Sequence, residues 1–116
     1  MTIRRLDRSE WGVFCLRATR GFLGKEVRIE TASPEIGFQI EVRRLPLVGM
    51  SYDPQSDVLE LLLRDLDHLI QAPRELYVDE ALFGVVTLEI VNADGVRQIV
   101  TFRDPLMLPP PDSLPG

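Results

Sequence analysis

Residues 86–103 have the pattern of a β-hairpin, and this pattern constrains the fold more than any other stretch of the chain. Apolar and polar residues alternate on both sides of Asn-Ala-Asp-Gly, as in strands that bury one face. A two-residue turn at Asp94 and Gly95 would leave Val86 beside Arg103. A three-residue loop that ends at Gly95 instead gathers six apolar residues on one face: Val86, Leu88, Ile90, Val96, Val100 and Phe102. Gln98 is the one polar residue on that face, and Gly95 is predicted at positive φ.

The N-terminal segment predicts one amphipathic helix over about residues 8–22. Asp7 and Glu10 have the spacing of a capping box. Apolar side chains then recur every three or four residues: Trp11, Phe14, Cys15, Ala18 and Phe22. This stripe predicts that Trp11 and Phe14 belong to the core. Cys15 lies on the same stripe with no neighbouring base, so it is predicted to be a buried, unreactive thiol.

Most of the remaining chain predicts short antiparallel strands. Apolar and charged residues alternate over 25–31 and 38–43. Residues 58–63 are nearly all apolar, as in a strand that is central or covered on both faces. Further strands are predicted over 45–52, 68–70 and 74–79. Phe38, Ile40 and Val42 are predicted to face inward. Pro46 and Gly49 are predicted to weaken and to break the third strand. The segment 66–72 is less clear, and a short helix there is the alternative to a strand.

The predicted fold is α+β, with the amphipathic helix packed on a curved, barrel-like antiparallel sheet of six or seven strands. Residues 1–103 are predicted to form a single globular domain, and 104–116 a proline-rich tail that is extended or disordered. No apolar run is long enough for a membrane-spanning helix, and no signal-peptide pattern is present. The single cysteine excludes an internal disulfide, and these features together favour the cytoplasm.

Charge is unevenly distributed along the chain, whose formal net charge is −5. Residues 1–28 hold seven basic and three acidic side chains, whereas 29–116 hold six basic and fifteen acidic ones. One interpretation is a basic helix attracted to an acidic sheet. The alternative is a site for RNA or single-stranded nucleic acid that uses five basic residues: Arg4, Arg5, Arg8, Arg17 and Arg20. The negative net charge disfavours nucleic acid.

No motif in the chain predicts catalysis, a cofactor or a metal. The densest polar cluster fits no metal-ligand spacing: Asp53, Asp57, Asp65, Asp67, His68, Glu75, Asp79 and Glu80. Five residues are nevertheless the candidate binding residues: Tyr52, Asp53, Asp57, Asp67 and His68. The turn over 52–57 also has a local explanation, since Asp53 can accept the backbone N–H two residues on. A small enzyme with its site near His68, and Asp67 or Asp79 beside it, is a third hypothesis.

Several segments resemble a family of short bacterial proteins that is known only as a domain of unknown function. They include Ser-Glu-Trp, Tyr-Asp-Pro, Asp-His-Leu-Ile, Tyr-Val-Asp-Glu and Asn-Ala-Asp-Gly, within about residues 7–103. The resemblance implies a bacterial cytoplasmic protein and assigns no catalytic residue. The order of a short helix and bent strands also resembles the Sm-like RNA-binding barrel. The chain lacks the RNA-loop signature of that second family, which puts RNA binding in doubt.

The predicted function is a non-catalytic binding or accessory module that acts through protein contacts. A homo-oligomer formed through an exposed edge strand is one form of it. The RNA or single-strand binder on a small Sm-like barrel is the alternative.

Overall fold

The computed structural model describes residues 2–80 and 85–105, and shows one short helix packed against a strongly bent antiparallel sheet. Within these residues the helical elements are a 3₁₀ turn, Arg8–Glu10, and α1, Trp11–Gly21. The strands are β1 (Thr2–Arg5), β2 (Glu26–Ser33), β3 (Gly37–Asp53), β4 (Val58–Leu63), β5 (Leu66–Gln71), β6 (Pro73–Glu80), β7 (Val86–Asn92) and β8 (Arg97–Arg103). Their order across the sheet is β1-β6-β7-β8-β2-β3-β4-β5.

The predicted α+β class, with one N-terminal helix on an antiparallel sheet, is confirmed. The sheet is not closed into a barrel, and the described residues form eight strands rather than six or seven.

β1 was not predicted, because four residues with two arginines show no alternation; it pairs with β6. The segment 66–71 is a strand, so the helical alternative there is wrong. From residue 106 onward the predicted tail lies outside the described residues.

β3 bends the sheet, because it pairs with β2 along its first half and with β4 along its second half. The predicted break at Gly49 is wrong, since β3 runs through both Pro46 and Gly49. Pro46 lies where the strand changes partner, and its carbonyl accepts the N–H of Arg64 at 3.0 Å. A missing N–H is tolerated at such a position. The register of β3 against β4 shifts between Leu47 and Gly49, as expected where a strand bends.

The prediction that Phe38 and Ile40 face inward is wrong. Val42 pairs with Ile29 and both are buried, but Ile40 pairs with Glu30, so Glu41 is an extra residue in β3. An extra residue shifts the alternation of a strand by one position. Phe38 and Ile40 therefore point to the outer face of the sheet, where 67% and 41% of their surface is exposed.

Helix α1 packs against β3, and the predicted apolar stripe faces the core, with Phe14 and Phe22 only partly buried against it. Trp11, Cys15 and Ala18 are buried. The Trp11 ring meets the Tyr52 ring edge-on with 5.0 Å between centroids. Burial raises the pKa of the Cys15 thiol to about 12, which leaves it protonated and weakly nucleophilic. Among the described residues no helix is long and apolar enough to cross a membrane.

The predicted hairpin has the expected loop. Gly95 has φ of 79°, and its N–H donates to the carbonyl of Asn92 at 3.0 Å. Leu88, Val100 and Phe102 are buried on one face. Gln98, the polar residue on that face, shares a hydrogen bond of 2.6 Å with the ring of His68 on β5. Gln98, the one polar residue on the apolar face of the hairpin, is therefore hydrogen-bonded to a side chain from a distant strand.

Candidate functional site

The predicted binding turn over 52–57 lies in a polar cluster that joins three distant parts of the chain. We call it the Arg8 cluster: Arg8, Tyr52, Asp57 and Arg74. The Arg8 guanidinium donates to the Tyr52 hydroxyl at 2.7 Å and to Asp57 Oδ1 at 2.8 Å. The Tyr52 hydroxyl lies 2.8 Å from the same Asp57 oxygen, and Arg74 donates to Asp57 Oδ2 at 2.9 Å.

Local structure positions each member of the Arg8 cluster. Asp57 has φ of 55° at the end of the β3–β4 turn, a conformation that aspartate tolerates better than most residues. Arg8 comes from the 3₁₀ turn that begins the helical segment, and its guanidinium lies 5.1 Å from the Trp11 ring centroid. Arg74 comes from β6. The cluster therefore ties the start of the helix to the β3–β4 turn and to β6.

The electrostatics of the Arg8 cluster favour a structural role over acid–base chemistry. The hydrogen bond from Arg74, followed by that from Tyr52, holds the pKa of Asp57 below its usual range. Both Asp57 oxygens are occupied, so this carboxylate is a poor proton acceptor near neutral pH. An open depression of about 450 Å³ beside the cluster could admit a small molecule; its lining is Arg8, Ser9, Gly12, Tyr52 and Pro54.

Asp53 makes the local contacts that the sequence predicted. Its carboxylate accepts the N–H of Gln55 at 2.9 Å and the hydroxyl of Ser56 at 2.9 Å. The hydrogen bond from Ser56, and then that from Gln55, lower the pKa of Asp53. Its contacts thus lie within its own turn, whereas those of Asp57 lie between elements.

Asp53→Ala is expected to lower the melting temperature by about 3–6 °C, as the loss of a local cap does. Folding lowers the pKa of Asp53. The stabilisation of the folded state by this carboxylate is therefore present above the ordinary carboxyl pKa, and it is lost as the pH falls through the pKa of Asp53 in the folded protein. The difference between the variant and wild type should therefore shrink below pH of about 4. Thermal melts of wild type and Asp53→Ala at pH values above and below this point measure the difference in melting temperature. Asp94→Ala, in another exposed turn, is the control. An equal difference at every pH would contradict this role.

His68 and Asp67 do not form a common site. They are neighbours in β5 and point to opposite faces. Asp67 shares a hydrogen bond with Glu60 that raises the pKa of Glu60. Asp79 lies on β6 opposite Thr87, whereas the ring of His68 contacts Gln98. The hypothesis of an enzyme site with Asp67 or Asp79 beside His68 is not supported by this geometry.

The five predicted nucleic-acid residues do not all share one face: Arg4 and Arg17 line one cavity of about 270 Å³, but Arg5 follows Arg4 in β1 and points to the opposite face. Arg4 pairs with Glu10 at 3.3 Å, Arg5 lies 6.0 Å from the Tyr77 ring centroid, and Arg8 belongs to the Arg8 cluster. Arg17 and Arg20 are exposed on α1, three residues apart. No feature of this arrangement favours nucleic acid over a protein partner.

Two surface features were missed by the sequence reasoning, and both arise from bulges in β3. One is the outward position of Phe38 and Ile40 along the first half of β3, which pairs with β2 on one side and with no described strand on the other. The other is a group of four arginines and two glutamates around a cavity of about 220 Å³ on the outer face: Arg28, Arg43, Arg44, Arg103, Glu26 and Glu30. The consecutive arginines between Val42 and Leu45 interrupt the alternation, and this was the available signal of a bulge.

Comparison with known proteins gives a family without an assigned activity. The chain matches the family of unknown function DUF5335 over residues 2–111. It is 36% identical over 110 residues to an uncharacterized protein of Aquifex aeolicus (strain VF5). The aligned region covers 94% of this chain and 99% of that protein. No solved structure matches the chain significantly. The predicted resemblance is confirmed, and the chain belongs to the DUF5335 family of unknown function.

Proposed function

We propose that the protein is a non-catalytic binding module that acts through protein contacts, and that it docks along the first half of β3. We call this segment the β3 edge: residues 37–45, with β2 on one side and no strand of the described residues on the other. The observation that carries the proposal is the exposure of large apolar side chains there. Phe38 is 67% exposed, and Ile36 in the preceding turn is 64% exposed.

A strand from a partner can add to a sheet where a strand edge is unpaired and apolar side chains beside it are exposed. Backbone N–H and C=O groups along the edge provide hydrogen bonds, and alternate side chains provide apolar contacts. Natural edge strands are commonly protected by charged side chains, by prolines, by bulges or by a covering loop. Residues 37–40, before the first bulge, have no charge and no proline, and the described residues place no loop over them.

The occupant that fits the β3 edge is the β3 edge of a second copy. Residues 34–45 are neutral, with Glu35 and Glu41 before Val42 and two arginines after it. Antiparallel pairing of two such edges places the acidic half of one beside the basic half of the other. The two ends of the sheet suit self-pairing less well, since β1 carries two arginines and β5 carries Asp67. Phe38 and Ile40 of both copies would then lie on one continuous face.

The test is the oligomeric state of the full chain, measured by sedimentation equilibrium at high micromolar concentration. We expect a dimer for the wild type and a monomer for the double variant Phe38→Ser/Ile40→Ser, because the substitutions remove the apolar contacts from one face of the pairing. Leu69→Ser is the matched control. Leu69 lies on the edge strand β5 and is 46% exposed, close to the 41% of Ile40.

Two results would overturn pairing through the β3 edge. One is a wild type that stays monomeric over the whole concentration range. The other is a dimer that Leu69→Ser dissociates and Phe38→Ser/Ile40→Ser leaves intact. Circular dichroism of all three proteins verifies that each is folded.

A further inference from the structure

We infer that the outer face of β8, β2 and β3 carries an anion site for the phosphate groups of a small phosphorylated ligand. The site is the group of arginines and glutamates around the cavity of about 220 Å³, which we call the arginine cluster. Its cations come from three adjacent strands: Arg103 from β8, Arg28 from β2, and both Arg43 and Arg44 from β3. This site shares Arg43 and Arg44 with the β3 edge, but its other charged residues lie on β2 and β8.

A bulge in β3 creates the arginine cluster. Val27 pairs with Leu45, and Ile29 pairs with Val42. Two residues, Arg43 and Arg44, therefore stand opposite the single residue Arg28. Val42 is buried and Leu45 is partly buried against the core, so both arginines between them are directed outward. Bulges of this kind redirect side chains and are common next to functional sites.

The arginine cluster holds more positive than negative charge. Four arginines face two glutamates, which gives a formal excess of two positive charges (4 − 2). Arg28 pairs with Glu30 at 3.2 Å, and Arg44 lies 3.9 Å from Glu26. Within the described part of the chain, neither Arg43 nor Arg103 is in an ion pair. Like charges on neighbouring strands destabilise a sheet, and a bound anion removes that repulsion.

The chemistry of the cluster favours phosphate groups over a single carboxylate. Guanidinium groups bind phosphate oxygens through paired N–H donors, and several can share one phosphate because each presents a fixed fork. The excess of two charges suits an anion of charge two or more. The opening of the cavity to solvent, with Thr101 on its wall as a hydroxyl donor, suits a small ligand.

The test titrates the full chain with sodium pyrophosphate at low ionic strength by calorimetry. We expect saturable binding that weakens as salt is added, and a loss of roughly tenfold or more in affinity for Arg103→Gln. Arg97→Gln is the matched control, because Arg97 lies on the same strand and the same face but pairs with Glu89. Its affinity should stay at the wild-type value.

Thermal melts provide a second measurement. Pyrophosphate should raise the melting temperature of the wild type and of Arg97→Gln, but not that of Arg103→Gln. Without the anion, Arg103→Gln should melt close to wild type, since it removes both a like charge and the cross-strand neighbour of Glu26. If it is less stable, Arg43→Gln replaces it in the same experiments.

Repeating the titration with Phe38→Ser/Ile40→Ser separates this site from self-association, because Glu41 of a second copy could compete for Arg43. Unchanged pyrophosphate binding by that variant supports an independent site. The inference is overturned if pyrophosphate gives no saturable binding. It is also overturned if Arg97→Gln and Arg103→Gln weaken binding equally, or if only a single-stranded RNA oligonucleotide binds.

Discussion

Replacing Trp11 by alanine is expected to lower the free energy of unfolding by about 3–5 kcal/mol. The side chain is 1% exposed, and it fills the space between α1 and the second half of β3. Truncation would leave a cavity under the helix and would remove the edge-on contact with Tyr52. It would also remove the ring under the Arg8 guanidinium, so the Arg8 cluster should loosen as well.

Chemical denaturation followed by far-ultraviolet circular dichroism measures this loss. Val13→Ala is the control, because Val13 is on the same helix but 55% exposed, and its substitution should change stability little. Trp11→Phe should recover part of the loss, since it restores a ring without the indole N–H that donates to Leu6. Equal effects of Trp11→Ala and Val13→Ala would show that the helix is not held through Trp11.

Phe102→Ala is expected to cost about 3–5 kcal/mol, whereas Phe38→Ala should change the stability of the monomer by less than about 1 kcal/mol. Both residues are phenylalanines in strands. Phe102 is fully buried on the inner face and its ring packs against Phe22 at 4.9 Å, whereas Phe38 is 67% exposed on the outer face. The same substitution therefore separates a side chain that stabilises the core from one that is available for a partner.

Denaturant melts at low protein concentration compare the two variants, because dimerisation would otherwise add its own stabilisation. A large loss for Phe38→Ala under those conditions would mean that Phe38 is covered within one copy of the chain. The β3 edge would then not be a free docking surface.

The Arg8 cluster shows which part of a candidate site a sequence can predict. Asp53 was predicted from its place before Pro54, because an aspartate at the start of a turn bonds to backbone two residues away. Asp57 ends the same turn, but it bonds to Arg8 and Arg74, 49 and 17 residues away. Bonds at such separations depend on how the strands and the helix pack, and neither residue type nor spacing reveals them.

What the sequence by itself determined about this protein is its local structure. The alternation over 86–103 and the loop ending at Gly95 specified a hairpin. Both signals, the two-residue period of a strand and a glycine at positive φ, depend only on residues that are close in sequence. The spacing of Trp11, Cys15 and Ala18 likewise specified the buried face of α1. Only the tertiary structure decided where β3 bulges, because an extra residue is defined by its partner strand. Because Val42 and Leu45 pack against the core, the bulges in β3 lie at Glu41 and at Arg43 and Arg44. These bulges direct Phe38 and the two arginines to the outer face of the sheet.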